Sequence, residues 1–342
     1  MDPSRRRLLG AGFFPAAGTF PAWEDIDGRA AVAQDGTAWR IGEGDVSAVT
    51  DMTRRLSDFD YEFGGRITHA MAVAFLTHTV IPDLSAPGTE AVRKAMLSVA
   101  SELSYLIGYM AVDAGLHGAA QQYYLQAMEW AGAASDPGAY CLALHGVGSQ
   151  ALQLGHGRAA LRAAVAARST AVSVEPNLRA FIAGQHARAS ALAGDRREAL
   201  SLLKEAEREM SRAEPSGRAV VGHYREATLE LDIAQVAYAF KDIEGSVASL
   251  KRYSDLQRGR WKRRRKVLDR GTLAERQFRL GHLEEACATW RQVLADYPHI
   301  KSARADQRIV SMGRALRPHL RNRLARQLYE RGREVAPGLL AV

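Results

Sequence analysis

The stretch ALAGDRREAL (residues 191–200) decides the fold, because close variants recur as LQLGHGRAAL (152–161) and FRLGHLEEAC (278–287). In each, a Gly is followed five residues later by an Ala: Gly155 by Ala160, Gly194 by Ala199, Gly281 by Ala286, and earlier Gly115 by Ala120. A weaker copy, AFKDIEGSVASL (239–250), puts Lys241 at the Gly place and Ser246 at the Ala place. Each Gly follows an amphipathic stretch, and each Ala sits early in the next one. A helix commonly ends on a residue with positive φ, which Gly adopts without steric cost. Self-similarity at a period of about forty residues therefore predicts paired helices that stack and bury a continuous core.

Working outward from the Gly, taken as position 15 of each unit, position 8 becomes Gly108, Gly148, Ala187 and Ala274. Position 24 becomes Tyr124, Ala164, Leu203 and Trp290. Small residues at 8 and 20 let two helices approach closely, and a larger residue at 24 fills the space beside them. Pro137, Pro176 and Pro215 follow one another at intervals of 39, and Pro298 follows the last unit. All fall between units, where a helix must stop. Alternating β-patterned stretches are missing, so essentially no sheet is expected.

Small residues at 8 and 20, Gly at 15, bulk at 24 and Pro298 at 32 resemble the tetratricopeptide repeat. The tryptophan usual at position 4 of that repeat is absent, and the units run long. The expected fold is therefore an all-α, tetratricopeptide-like helical-hairpin solenoid. The segments SDFDYEFGGRITHAMAVAFLTHTVIPDL (57–84), SELSYLIGYMAVDAGLHGAAQQYYLQAMEWA (101–131) and SARADQRIVSMGRALRPHL (302–320) look like the C-terminal sensor half of actinobacterial regulators. Those regulators join a helix-turn-helix DNA-binding domain to such repeats. The resemblance covers roughly residues 45–335 and implies a cytoplasmic role in gene regulation. Pro3, Pro15, Pro21 and several glycines ahead of it do not suit the helices of a DNA-binding domain, so either a stand-alone relative or a longer gene product is expected. The expected organisation is a leader (1–43), a helical capping region (44–98), about five repeats with a closing helical pair (99–335) and a tail (336–342).

The formal net charge of +8 is uneven. From Arg258 onward 21 Lys or Arg stand against 8 Asp or Glu, a balance of +13, while the rest carries 25 against 30, or −5. The densest run, RGRWKRRRK, holds Arg258, Arg260, Trp261, Lys262, Arg263, Arg264, Arg265 and Lys266. It reads either as a solvated helix entry with arginine stems lying on apolar surface or as a patch for nucleic-acid phosphates or an acidic partner, with Trp261 stacking on a base.

Ser4-Arg5-Arg6-Arg7-Leu8-Leu9 resembles a twin-arginine export signal, with Ala31-Val32-Ala33 as a cleavage-like site. The acidic WEDID (23–27) between them argues against export, so a cytoplasmic chain is expected. No uninterrupted apolar run is long enough to span a bilayer, and no membrane partner is expected. Cys141 and Cys287 lie three units apart, too far for a disulfide, and Cys141 with His145 makes only two of the ligands a metal site needs. No cofactor and no metal are expected. GVGSQ (146–150) lacks the glycine spacing of a nucleophile elbow, HLEE (282–285) lacks zinc-protease spacing, and no phosphate-binding loop occurs. The acids of DFDYEF, Asp58, Asp60 and Glu62, read as caps or a solvated turn. No catalytic residue is singled out, and an enzyme using the solenoid cavity stays only as an alternative.

A stack of this kind offers a groove lined by the first helix of each unit, at about positions 2, 5, 9, 12 and 13. Those positions hold Tyr105, Tyr109 and Asp113; His145, Ser149 and Gln153; Phe181 and Arg188; Gln235 and Tyr238; Glu275 and Phe278. Tyrosines interleaved with polar groups suit an extended peptide, because rings supply contact area while amides and charges fix register. The expected function is thus a non-enzymatic regulatory or adaptor protein that takes a peptide or protein partner in its concave face. A homodimer stays open.

Overall fold

The computed structural model describes residues 40–213, 224–259 and 262–340, and among them every regular element is helical. Two helices open the chain: α1 (Glu43–Phe63) and α2 (Gly65–Phe75), the latter running through a π-helical turn (Leu76–Val80) into the short α3 (Ile81–Ser85). Six hairpins follow. They pair α4 (Glu90–Ala114) with α5 (His117–Ala134), α6 (Pro137–Gln153) with α7 (Gly157–Thr170), and α8 (Pro176–Leu192) with α9 (Arg196–Arg212). The remaining three pair α10 (Glu226–Ala239) with α11 (Ile243–Leu256), α12 (Arg263–Arg279) with α13 (Leu283–Asp296), and α14 (Ala303–Leu316) with α15 (Arg323–Val335).

The repeated glycines do what their spacing predicts. Gly115, Gly155, Gly194 and Gly281 have φ of +84°, +76°, +92° and +82°, and Lys241 occupies the same left-handed position at +64°. At Gly155 the chain closes with two reverse bonds, His156 N to Ala151 O at 2.8 Å and Gly155 N to Leu152 O at 3.2 Å, which satisfy carbonyls the helix end leaves open. The next helix is started by a side chain where one is available: Asp136, Asp195 and Asp242 each accept from an amide three residues on. Ala120, Ala160, Ala199 and Ala286 are all fully buried at the hairpin crossings. Tyr124 fills the notch between Gly108 and Gly146, and a Cβ at Gly108 would stand 2.6 Å from its ring. In the fifth hairpin Trp290 takes the same place, also fully buried.

The expected boundaries shift in two places. α4 runs unbroken across 98/99, so the capping region and the first repeat share one helix. The last residues are not a free tail, since Ala336 and Leu340 pack into the core of the final hairpins. α4 is also long and apolar enough to cross a membrane by length and composition, with a mean hydropathy of 1.4 over its best window. Two thirds of that window is buried, against α1, α2, α5 and α6, as suits the hub of a helical core.

First helices of the first four hairpins pack on one another in succession, whereas their second helices make at most slight contact, so the stack curves with the first helices inside. The curvature brings the ends together: α1 packs on α12, and α4 meets α14. The chain closes on itself, joining residues about two hundred apart in sequence.

Candidate ligand-binding face

The inner face is built residue by residue from the first helices. His145 of α6 stacks on Phe181 of α8 with ring centroids 3.9 Å apart, and its Nδ1 has no hydrogen-bond partner. Burial, aided by the Arg188 charge, lowers the His145 pKa to about 3, so the ring is neutral near pH 7. Gln185 donates from Nε2 to the His145 carbonyl at 2.6 Å and to Ser149 Oγ at 2.8 Å, leaving its own Oε1 unpartnered. Arg188 stands 3.7 Å from Asp232, whose other oxygen accepts from Tyr224 at 2.9 Å. Burial pushes the Asp232 carboxyl above its usual range against the pull of Arg188.

Further round, Tyr238 lies under two guanidiniums, Arg276 at 4.3 Å and Arg279 at 5.2 Å. Arg276 is almost wholly buried and finds only neutral acceptors: Ala234 O, Gln235 Oε1 and Ser246 Oγ. Burial lowers its pKa to about 10, and the nearby Arg308 and Arg188 charges push the same way. Tyr109 sits between Arg264 and Arg304, at 5.3 and 5.1 Å from its ring centre. Burial alone would raise the Tyr109 phenol, but the charges of Arg304, Arg264 and Arg265 outweigh it and bring the pKa to about 8.

Of the eight expected groove residues, six make the contacts just given: Tyr109, His145, Ser149, Arg188, Gln235 and Tyr238. The other two are packed away. Tyr105 is core, 3% exposed with its ring centroid 6.0 Å from that of Tyr124. Asp113 is fully buried, taken up by four donors: Gly65 N at 2.8 Å, Arg304 Nε at 2.8 Å, Ser302 Oγ at 2.9 Å and Arg264 Nη1 at 3.0 Å. The sequence reading missed Gln185, Asp232 and Arg276, which fall outside the usual lining positions. Their signal was available: Gln185 and Asp232 are both position 6, a polar residue inside an otherwise apolar stretch.

The basic run does not form a free patch. Arg260 and Trp261 lie outside the described residues. Each other cation meets a carboxylate: Arg258 with Asp255, Lys262 with Asp58, Arg263 with Glu62, Arg265 with Asp269, and Lys266 with Asp296. Arg264 is fully buried and bridges Asp60 at 2.5 Å and Asp113 at 3.0 Å. Burial and the Asp113 charge push the Asp60 carboxyl above its usual range, while in Asp113 the pull of Arg264 and Arg304 overcomes burial and lowers it. DFDYEF is accordingly corrected from a solvated turn to the partner of the basic run, with Asp60 fully buried. The physical reason is complementarity across the closed ring, where Lys262, Arg263 and Arg264 meet Asp58, Glu62 and Asp60.

Cys141 and Cys287 are both buried free thiols, and Cys141 Sγ lies 3.4 Å from Ala167 O. Among the described residues no group of three or more His, Cys, Asp or Glu is gathered as metal ligands would be.

The fold and these contacts define a class: a tetratricopeptide-like helical-hairpin repeat whose first helices carry buried and half-buried aromatic rings and arginines. Among solved structures, a Podosopora anserina putative kinesin light chain with nearly identical TPR-like repeats aligns at 18% identity and a TM-score of 0.42. The alignment covers 59% of this chain and 97% of that one. A variant of the same protein aligns at 17% identity and the same TM-score, covering 58% and 95%. Likeness at that level carries no argument, and the architecture stands on the hairpins themselves. No protein-family model and no curated protein matches the chain.

Proposed function

We propose that this chain is a non-enzymatic regulatory or adaptor protein that holds a peptide segment of a protein partner against its concave face. The observation that carries the reading is the convergence, from successive first helices, of aromatic rings and guanidiniums on one interior: His145 on Phe181, Arg276 and Arg279 on Tyr238, Arg264 and Arg304 on Tyr109. Rings give contact area at low entropic cost, and guanidiniums beside them fix the register of carbonyls or carboxylates. Nothing comparable favours nucleic acid, since each described cation of the basic run already meets a carboxylate.

The setting belongs to the same proposal: a cytoplasmic protein of gene regulation, as its resemblance to the sensor halves of actinobacterial regulators implies. The mechanism is ligand-biased packing between hairpins, which alters the surface offered to a partner. A random peptide display library panned on the folded chain tests it. Enriched peptides should bind the wild type and lose at least tenfold in affinity to Arg188→Glu and Tyr238→Ala, with helicity unchanged. Equal binding to both variants would sink the concave-face reading.

A further inference from the structure

Apolar clusters join each hairpin to the next along the chain, but none crosses the place where the ring closes. One apolar cluster gathers residues from α1 to α5, from Ile41 to Trp130. Another gathers residues from α12 onward, from Val267 to Leu340. No described apolar cluster spans the two.

What spans them is polar. Arg264 of α12 reaches Asp60 of α1 and Asp113 of α4, and its Nε donates to the Asp60 carbonyl at 2.9 Å. Arg304 and Ser302, at the start of α14, reach the same Asp113. Two backbone bonds join the turn before α2 to the turn before α14: Lys301 N to Phe63 O at 2.7 Å and Arg66 N to Lys301 O at 3.1 Å. Around this centre lies a rim of exposed ion pairs, Lys262–Asp58, Arg263–Glu62 and Arg66–Asp306.

Such a seam differs in kind from the hairpin interfaces. Apolar burial between neighbouring hairpins is non-directional and large. Buried ion pairs set register well but add little net stability, because desolvation offsets most of the attraction, and exposed pairs contribute about 0–1 kcal/mol each. Opening the seam returns these groups to water and uncovers the Tyr61 and Tyr109 rings, but it splits no apolar cluster.

From this we infer that the contact of α1 and α4 with α12 and α14 is a reversible latch that gates the concave face. Closed, it places Arg264 and Arg304 against Tyr109 and narrows the way in. Opened, it swings the first hairpins away from the last ones and exposes the inner aromatic rings, while each hairpin stays folded. The inference deepens the binding role proposed above and rests on it only for the word gate.

The test needs no ligand. Dyes on an Asp58→Cys/Lys262→Cys chain report the seam by energy transfer; the native Cys141 and Cys287 are buried and stay unlabelled. Hydroxyl-radical footprinting reports exposure of Tyr61 and Tyr109. Raising salt to about 1 M, where the Debye length is about 3 Å, should lower transfer and raise tyrosine labelling several-fold, with helicity constant. Arg66→Glu/Arg263→Glu in the labelled chain, which turns two rim attractions into repulsions without burying a new charge, should do the same at low salt. Bridging the two cysteines with a short bismaleimide in place of the dyes should abolish the rise in tyrosine labelling. Unchanged transfer and labelling in salt and in the reversal variant would overturn the latch, as would changes that track loss of helicity. The two readings separate cleanly: a rigid seam with intact peptide binding removes the gate alone, and an opening seam with no peptide binding removes the binding role alone.

Discussion

Lys241 holds the φ of +64° that its sister units give to glycine. A non-glycine residue there carries about 1–2 kcal/mol of crowding between Cβ and the carbonyl that follows. Lys241→Gly relieves it, less the extra freedom glycine has when unfolded. The expected net gain is up to about 1 kcal/mol, seen as a higher urea midpoint at constant slope. At the mirror position, Gly115→Ala should lose about as much, because φ is +84° and the Ala303 side chain lies 3.3 Å from the new Cβ. His145 sets a pH dependence of its own. Its folded pKa of about 3 lies below the ordinary 6.5, so between those values the unfolded chain binds a proton that the folded chain refuses. Stability from this group is full above about pH 6.5 and falls as pH drops towards 3. His145→Gln should flatten that limb of the stability–pH curve in chemical denaturation, and Arg188→Gln should leave most of it, since burial is the larger cause.

At the scale of the helix pair, a few positions carry the packing, and those positions were legible. Small residues at 8 and 20 and a bulky one at 24 can be read from spacing because helix crossing is local chemistry, repeated in every unit. Trp290 shows the consequence: it fills position 24 beside Ala274 and Ala286, all three fully buried. Trp290→Ala should cost about 3–5 kcal/mol through the cavity it leaves. Trp290→Phe should cost much less, since it keeps most of the volume and removes an indole Nε1 that has no partner. Thermal denaturation of the two variants separates the roles of volume and polarity. The inner-face residues were only partly legible. Tyr109 and Arg188 follow from their positions, but whether a position opens to the interior depends on how far neighbouring units are rotated. Tyr105, one turn before Tyr109, went into the core for that reason.

The closed ring belongs to the whole molecule, and spacing alone did not disclose it. Asp60 and Arg264 lie 204 residues apart, and each has an ordinary local reading, an acid in a turn and a cation at a helix entry. Their complementarity was visible as composition, acids near one end and cations near the other, yet nothing local says which pairs will meet. Closure changes how the molecule transmits damage. In a linear stack each repeat feels only its neighbours, so a defect in the last hairpin leaves the first untouched. Here Met312→Ala would remove about 2–5 kcal/mol from the final cluster and raise the frequency with which α14 opens. Each opening breaks the Lys301–Phe63 and Arg66–Lys301 backbone bonds and frees Asp113 from Ser302 and Arg304. Native-state hydrogen exchange should therefore show faster exchange at the Arg66 amide as well as at Lys301, while amides in the middle of α6 and α8 keep their wild-type rates. If Arg66 keeps its protection while α14 loses its own, the ends of the ring are neighbours in space without being coupled in energy, and the solenoid unfolds as a line.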